Sequence, residues 1–207
     1  MSKIICLANS RKNVNRCIAG VTSEGEWIRP VSSLRDGSIT WRMREIGGTE
    51  PELLDVLSIP LEDDGPDFGH QPENRLLNPG KWQRMGRATA SEVAVLCEKL
   101  KVLLHTDSDR VAVGLIAAMA APARKSLQLI EVRNAGFYTT TSIKGKRQVR
   151  ARFAYSGKGY NIVVTDPVVE RRVKDHDPPG RNCILTVSMG GPYEGNYFKF
   201  IAAVIEV

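Results

Sequence analysis

The chain has 207 residues, of which 42% are hydrophobic and 25% charged, and its formal net charge is +6. That is enough apolar material for an ordinary core, which excludes a disordered polymer. No apolar run reaches the roughly 18 residues of a membrane-crossing helix, and the apolar opening at residues 4–7 is too short for a secretory leader, so a cytoplasmic protein without membrane contact is expected.

In chain order, residues 3–8 read as a buried strand. Residues 16–22 and 26–31 read as two more, joined by a hairpin at Ser23-Glu24-Gly25. Residues 38–44 alternate, with Ile39, Trp41 and Met43 on one side and Thr40, Arg42 and Arg44 on the other. They predict a strand that buries Trp41 and exposes the arginines. Residues 53–61 predict a further strand, ended by Pro60 and an acidic turn. Thr89 or Ser91 can cap a helix whose apolar residues include Val93, Leu96 and Leu100. A second helix is expected at about 109–120, before Pro122. Strand patterning returns at 127–133, 149–155, 160–165, 182–188 and 197–207. The fold class is therefore mainly β with a few helices. The pattern divides into β-rich halves, 1–85 and 125–207, with a helical connector at 86–124; a single larger β domain gives much the same pattern.

The charge is unevenly spread. Residues 124–158 hold nine basic residues against one acid, Glu131, while residues 50–67 hold seven acids and no base. Such a field draws polyanions to one region and repels them from another. Cys6, Cys17, Cys97 and Cys183 form no C-x-x-C pair, and His70, His105 and His176 have no metal-ligand spacing. Neither a metal nor another cofactor is expected.

Three clusters carry phosphate-binding chemistry. Asn9, Ser10, Arg11 and Lys12 leave the first strand and precede Arg16. These polar groups and cations can grip a phosphate or simply form a solvated turn. Trp27 and Arg29 share a strand face, where Arg16 can join them. Trp stacks on a base and Arg supplies a planar donor fork, but a core tryptophan beside a paired arginine has the same pattern. The third cluster is the turn Ile143-Lys144-Gly145-Lys146-Arg147 with Arg150 and Arg152, close in sequence to Tyr138, Phe153, Tyr155 and Tyr160. Charge with aromatics is the composition of single-strand binders, and a basic edge strand is its plainer counterpart. Trp82 reads as a residue packed over a barrel end, and Asp166 before Pro167 as a turn residue. Gly190 to Gly195 lack the ending of a P-loop and read as a hairpin loop. No catalytic constellation is visible.

Several segments resemble the dual OB-containing domain family of bacteria. They are Cys6-Leu7-Ala8-Asn9-Ser10-Arg11-Lys12, Arg16-Cys17-Ile18-Ala19-Gly20 and Trp27-Ile28-Arg29-Pro30-Val31-Ser32. Pro72-Glu73-Asn74 with Lys81-Trp82, and Arg152-Phe153-Ala154-Tyr155 with Thr165-Asp166-Pro167, continue the likeness in order. Leu185 to Gly190 and Phe198 to Ala203 complete it. The resemblance implies two OB-like barrels in tandem and a place in bacterial defence or conflict systems. The expected function is a non-catalytic module that binds nucleic acid, single-stranded or through its backbone, within a larger protein assembly. Two alternatives stay open: a sensor for a nucleotide or nucleotide-derived second messenger, held in a cleft between the halves, and an enzyme that processes nucleic acid.

Overall fold

The computed structural model describes residues 1–142 and 144–207. Its first sheet contains β1 (Ser2–Lys12), β2 (Asn15–Val21), β3 (Trp27–Val31), β4 (Asp55–Ile59), β5 (Asn74–Leu76) and β6 (Gln83–Arg87), in the order β5-β3-β2-β1-β4-β6. A short helix, α1 (Trp41–Arg44), interrupts it; α2 (Ala90–Ala94) follows it. The second sheet contains β7 (Arg110–Ala112), β8 (Leu127–Val132), β9 (Gly136–Thr141), β10 (Arg147–Tyr155), β11 (Lys158–Val164), β12 (Cys183–Tyr193) and β13 (Asn196–Glu206). Their order is β8-β12-β13-β11-β10-β9, with β7 also paired to β13. The remaining helices are α3 (Val113–Ala117), α4 (Pro167–Lys174) and a 3-10 turn at Ala121–Ala123. Among the described residues neither sheet closes on itself.

β1 belongs to two cores. Ile4 and Cys6 pack with Ile18, Leu57 and Ile59 inside the first sheet. A bulge between Cys6 and Ala8 then changes the register against β2, and Leu7 packs with Leu129, Ile184 and Ile205 of the second half. Close approach of β1 and β2 requires Gly20, where a Cβ would stand 2.1 Å from the Ile5 carbonyl oxygen. Ala8 and Ala19 meet Leu127, Ala202 and Ala203, so small residues bring the sheets together. Polar contacts reinforce this seam: Thr186 Oγ1 donates to Leu7 O at 2.5 Å, and Arg11 N to Thr165 O at 2.8 Å.

Several expectations need correction. Residues 38–44 are not a strand: Ile39 makes one bridge to Arg16 and the chain then turns into α1. Helical geometry replaces the twofold alternation, so Trp41 is 46% exposed and Arg44 is 6% exposed. Arg44 tolerates burial because Glu50 lies 2.8 Å from Nε and the Ile39 carbonyl accepts from Nη1 at 2.9 Å. The helix capped by Thr89 is real, with a full capping box to Glu92, but it stops at Ala94. Leu103 and Leu104 instead enter the second core from a loop. The helix expected at 109–120 is divided into β7 and α3, because Arg110 to Ala112 pair with β13. Asp166 is the N-cap of α4: its Oδ1 accepts from Val168 N at 2.9 Å and Val169 N at 3.2 Å. Its Oδ2 accepts from Val204 N at 3.2 Å, while burial raises its pKa. Trp82 is 4% exposed and lies in the first core.

Candidate functional site

Twofold alternation gives the second sheet an outward basic face. On β10, Val149, Ala151, Phe153 and Tyr155 are buried, while Arg150 and Arg152 point away from the core. Arg150 pairs in register with Tyr138 on β9 and Val163 on β11. Arg150 Nε donates to Asn161 Oδ1 at 2.9 Å, and Tyr138 Oη donates to the same oxygen at 3.0 Å. Asn161 thus fixes a cation and an aromatic ring side by side.

β13 reverses the usual sorting of polar and apolar side chains. Tyr197, Lys199 and Ile201 are buried, and Phe198 and Phe200 face outward. Lys199 is only 2% exposed, yet its Nζ shares three N–H groups among four oxygens, Leu103 O at 2.5 Å, Thr106 O at 2.8 Å, Thr106 Oγ1 at 2.9 Å and Ser108 O at 2.7 Å. These oxygens replace the water lost on burial; desolvation still lowers the Lys199 pKa to about 8, against the opposing charges of Asp109 and Asp107. Phe200 is seated against Gly190, where a Cβ would come within 2.6 Å of the ring.

The outcome is a groove of about 780 Å³. Lys144, Lys146 and Arg150 line it together with Tyr138, Tyr193, Phe198 and Phe200. Lys144 Nζ lies 4.8 Å from the Tyr193 ring centre and donates to Tyr193 Oη at 2.5 Å, a bond that raises the lysine pKa. Arg110 stands 5.1 Å from the Phe198 ring, and the Tyr193 and Phe198 centroids are 6.2 Å apart. Asp109 is the acid among the lining residues, with Arg110 Nε 3.0 Å from it. The groove therefore couples cations for phosphates with ring faces for bases.

The structure gathers only part of the sequence-derived set here. Lys144, Lys146 and Arg150 reach the groove; Arg152 lines an adjoining depression. Arg147 is exposed at the start of β10, outside the groove lining, and Ile143 lies outside the described residues. Tyr155 does not join the groove. It is 8% exposed, its Oη donates to Glu98 O at 2.9 Å and accepts from Leu100 N at 2.8 Å, and so it anchors the connector. Phe153 and Tyr160 stack within the core. Phe198, Phe200 and Tyr193 line the groove without having been among the candidates read from the sequence. Alternation puts Phe198 and Phe200 on one face of β13 and Lys199 on the other, but does not say which face is buried.

The other clusters lie elsewhere and do not converge. Asn9 Nδ2 donates to Pro51 O at 2.7 Å, and Ser10 is buried with Oγ donating to Cys17 O at 3.4 Å. Arg11 is paired with Glu170 at 2.6 Å and Arg16 with Glu50 at 3.4 Å, while Lys12 ends β1. Trp27 is half-buried at the seam. Arg29 is 3% exposed and stands 2.9 Å from Glu73, so it is a buried structural partner and not a surface phosphate contact. Arg16 lies near the start of β2, opposite Arg11 of β1, while Trp27 pairs with Val21 at the far end of β2, which keeps the expected joint site from forming.

The family model for the dual OB-containing domain matches residues 2–204. The chain belongs to the dual OB-containing domain family. Its mainly β architecture with two sheets fits two OB-like barrels, and the groove lies on the second. No curated protein matches the chain. Among solved structures it is similar to the tetrameric p202 HIN2 crystal structure, at 7% identity and a TM-score of 0.32, covering 99% of this chain and 91% of that one. No helix of the described residues is long and apolar enough to cross a membrane.

Proposed function

We propose that this dual OB-containing protein binds single-stranded nucleic acid along the groove of its second sheet, without chemically altering it. The observation that carries this reading is the convergence of Lys144, Lys146 and Arg150 with four aromatic side chains in one groove. Cations attract the backbone without reading sequence, and exposed rings accept unstacked bases, which a duplex keeps stacked inside. The family resemblance supports a place in a bacterial defence or conflict assembly.

A fluorescent single strand titrated at several salt concentrations tests the assignment. Each phosphate contact to a single strand contributes about 0.7 to the slope of log affinity against log salt. Lys144→Ala/Lys146→Ala/Arg150→Ala should lower affinity at low salt and flatten that slope by about two units. Unchanged affinity and slope would remove the ligand from this groove, and turnover of the strand by pure protein would overturn the non-catalytic reading.

A further inference from the structure

We propose that a second cavity, between the two halves, receives one nucleobase-like ring, stacked on Trp27 and donating an N–H to Glu73. The cavity measures about 480 Å³, within the range of small-molecule sites, and shares no lining residue with the groove. Trp27 and Pro72 line it from the first half, and Leu127 and Leu129 from the second. Together they offer a lining suited to a flat, partly apolar molecule.

Glu73 supplies direction. It is 8% exposed and lines the cavity. Arg29 Nη2 lies 2.9 Å from its Oε1, and Ser126 Oγ donates to that same oxygen. Among the described residues no hydrogen bond reaches Oε2. One carboxylate oxygen is therefore held by protein while the other is open to a donor, already oriented before any ligand arrives.

The local charge distinguishes this cavity from the groove. Glu26 and Glu98 also line it; Lys125, the lining cation among the described residues, is held 2.9 Å from Glu98 and Arg29 balances Glu73, which leaves Glu26 as the carboxylate in surplus. Surplus carboxylate disfavours phosphate and favours ring edges rich in N–H. Adenine, cytosine and guanine carry such an exocyclic amine. Uracil has one ring N–H between two carbonyl oxygens, which face carboxylates unfavourably. The ring can belong to a free nucleoside or to a base of a bound strand.

Calorimetric titration of the full chain with adenosine, cytidine and uridine tests this, alongside an oligodeoxyadenylate and an abasic strand of equal length. Adenosine and cytidine should bind at least about tenfold more tightly than uridine. Trp27→Leu, checked for an unchanged fold by circular dichroism, should weaken them about tenfold or more. Glu26→Lys, an exposed change away from the core, should shift preference from adenosine toward adenosine monophosphate. The groove triple variant should leave nucleoside binding intact, so a failure of the groove reading is seen separately. If no nucleoside binds but Trp27→Leu weakens the oligodeoxyadenylate and not the abasic strand, the ring comes from the strand. Nucleoside binding lost in the groove variant but kept in Trp27→Leu overturns the proposal. So does the absence of any Trp27-dependent binding of either nucleoside or strand.

Discussion

Arg29 Nη2 sits 2.9 Å from Glu73 Oε1 and donates to Ser126 Oγ at 2.8 Å, a residue 97 positions further along the chain. Ser126 in turn donates to Glu73, so a buried ion pair of the first half is tied to the start of the second. Its position under 10% exposure makes each charge dependent on the other.

Arg29→Ala should therefore destabilise the protein by about 3–5 kcal/mol, because Glu73 would be left buried without its counter-charge. Urea unfolding measures this. Binding of the abasic strand by the fraction still folded should match the parent protein, since Arg29 does not line the groove. A loss below about 1 kcal/mol together with weakened strand binding would return Arg29 to the ligand.

The groove rings give a second, independent handle. Tyr193 and Phe198 lie on the two arms of the β12–β13 hairpin and are both accessible to a ligand. Phe198→Leu and Tyr193→Leu should each weaken single-strand binding by about 1–3 kcal/mol, the usual worth of one base–ring stack. The salt slope should not change in Phe198→Leu, because no phosphate contact is removed. A changed slope with unchanged affinity would show that the ring serves only to hold Arg110.

What could be read from the sequence depended on whether a residue's fate was decided locally. Alternation placed β10 correctly, since Val149, Ala151 and Phe153 are apolar and Arg150 and Arg152 charged. The same rule applied to β13 turns Lys199 outward, yet it is inward because a loop over ninety residues earlier supplies its acceptors. It failed at 38–44 because Glu50 and a backbone carbonyl make burial of Arg44 tolerable. The 103–104 leucines have helical spacing but are held as a loop by distant groups: Tyr160 Oη accepts from Leu103 N at 3.3 Å and Gln128 Oε1 from Leu104 N at 2.7 Å. The basic cluster at 144–152 was legible as charge and Tyr138 lay close to it in sequence, whereas Tyr193, Phe198 and Phe200 came from β12 and β13 and could not be paired with it by sequence distance.

His70 should make stability depend on pH. Its ring is 1% exposed, stacked 4.2 Å from Tyr197, with Nδ1 3.1 Å from Phe68 O and Nε2 buried with no hydrogen-bond partner among the described residues. Burial holds its pKa below the ordinary histidine value; nearby Arg29 lowers it further and Glu73 opposes. The unfolded chain takes up this proton near pH 6.5, before the folded chain does. Stability contributed by neutral His70 is thus full above about pH 7 and declines as pH falls below about 6.5. His70→Phe, which keeps a ring against Tyr197, should reduce the fall in urea midpoint between pH 7.5 and 5.5, an effect of about 1 kcal/mol. An identical pH profile in the variant would assign the dependence to other groups.

Lys199 offers the sharpest separation of scaffold from site, because it borders the groove between two phenylalanines yet turns its ammonium to the opposite face. Its ammonium binds oxygens of Leu103, Thr106 and Ser108, which holds the 103–108 loop over the second core. Lys199→Met preserves length and removes every one of those donors. Some of the freed oxygens can turn to water and some cannot, so the expected cost is about 2–4 kcal/mol, less than the sum of separate buried losses. Amide hydrogen exchange should quicken at 103–109 first, since that loop loses its anchor while β13 keeps its ladder with β12. Phe198 and Phe200 should keep facing outward, because Tyr197 and Ile201 still fix the phase of the strand from the core. Strand affinity should accordingly stay within about threefold of the parent protein. Loss of affinity as large as that of Phe198→Leu, in a variant whose melting temperature is unchanged, would mean that the Lys199 charge acts on the ligand itself.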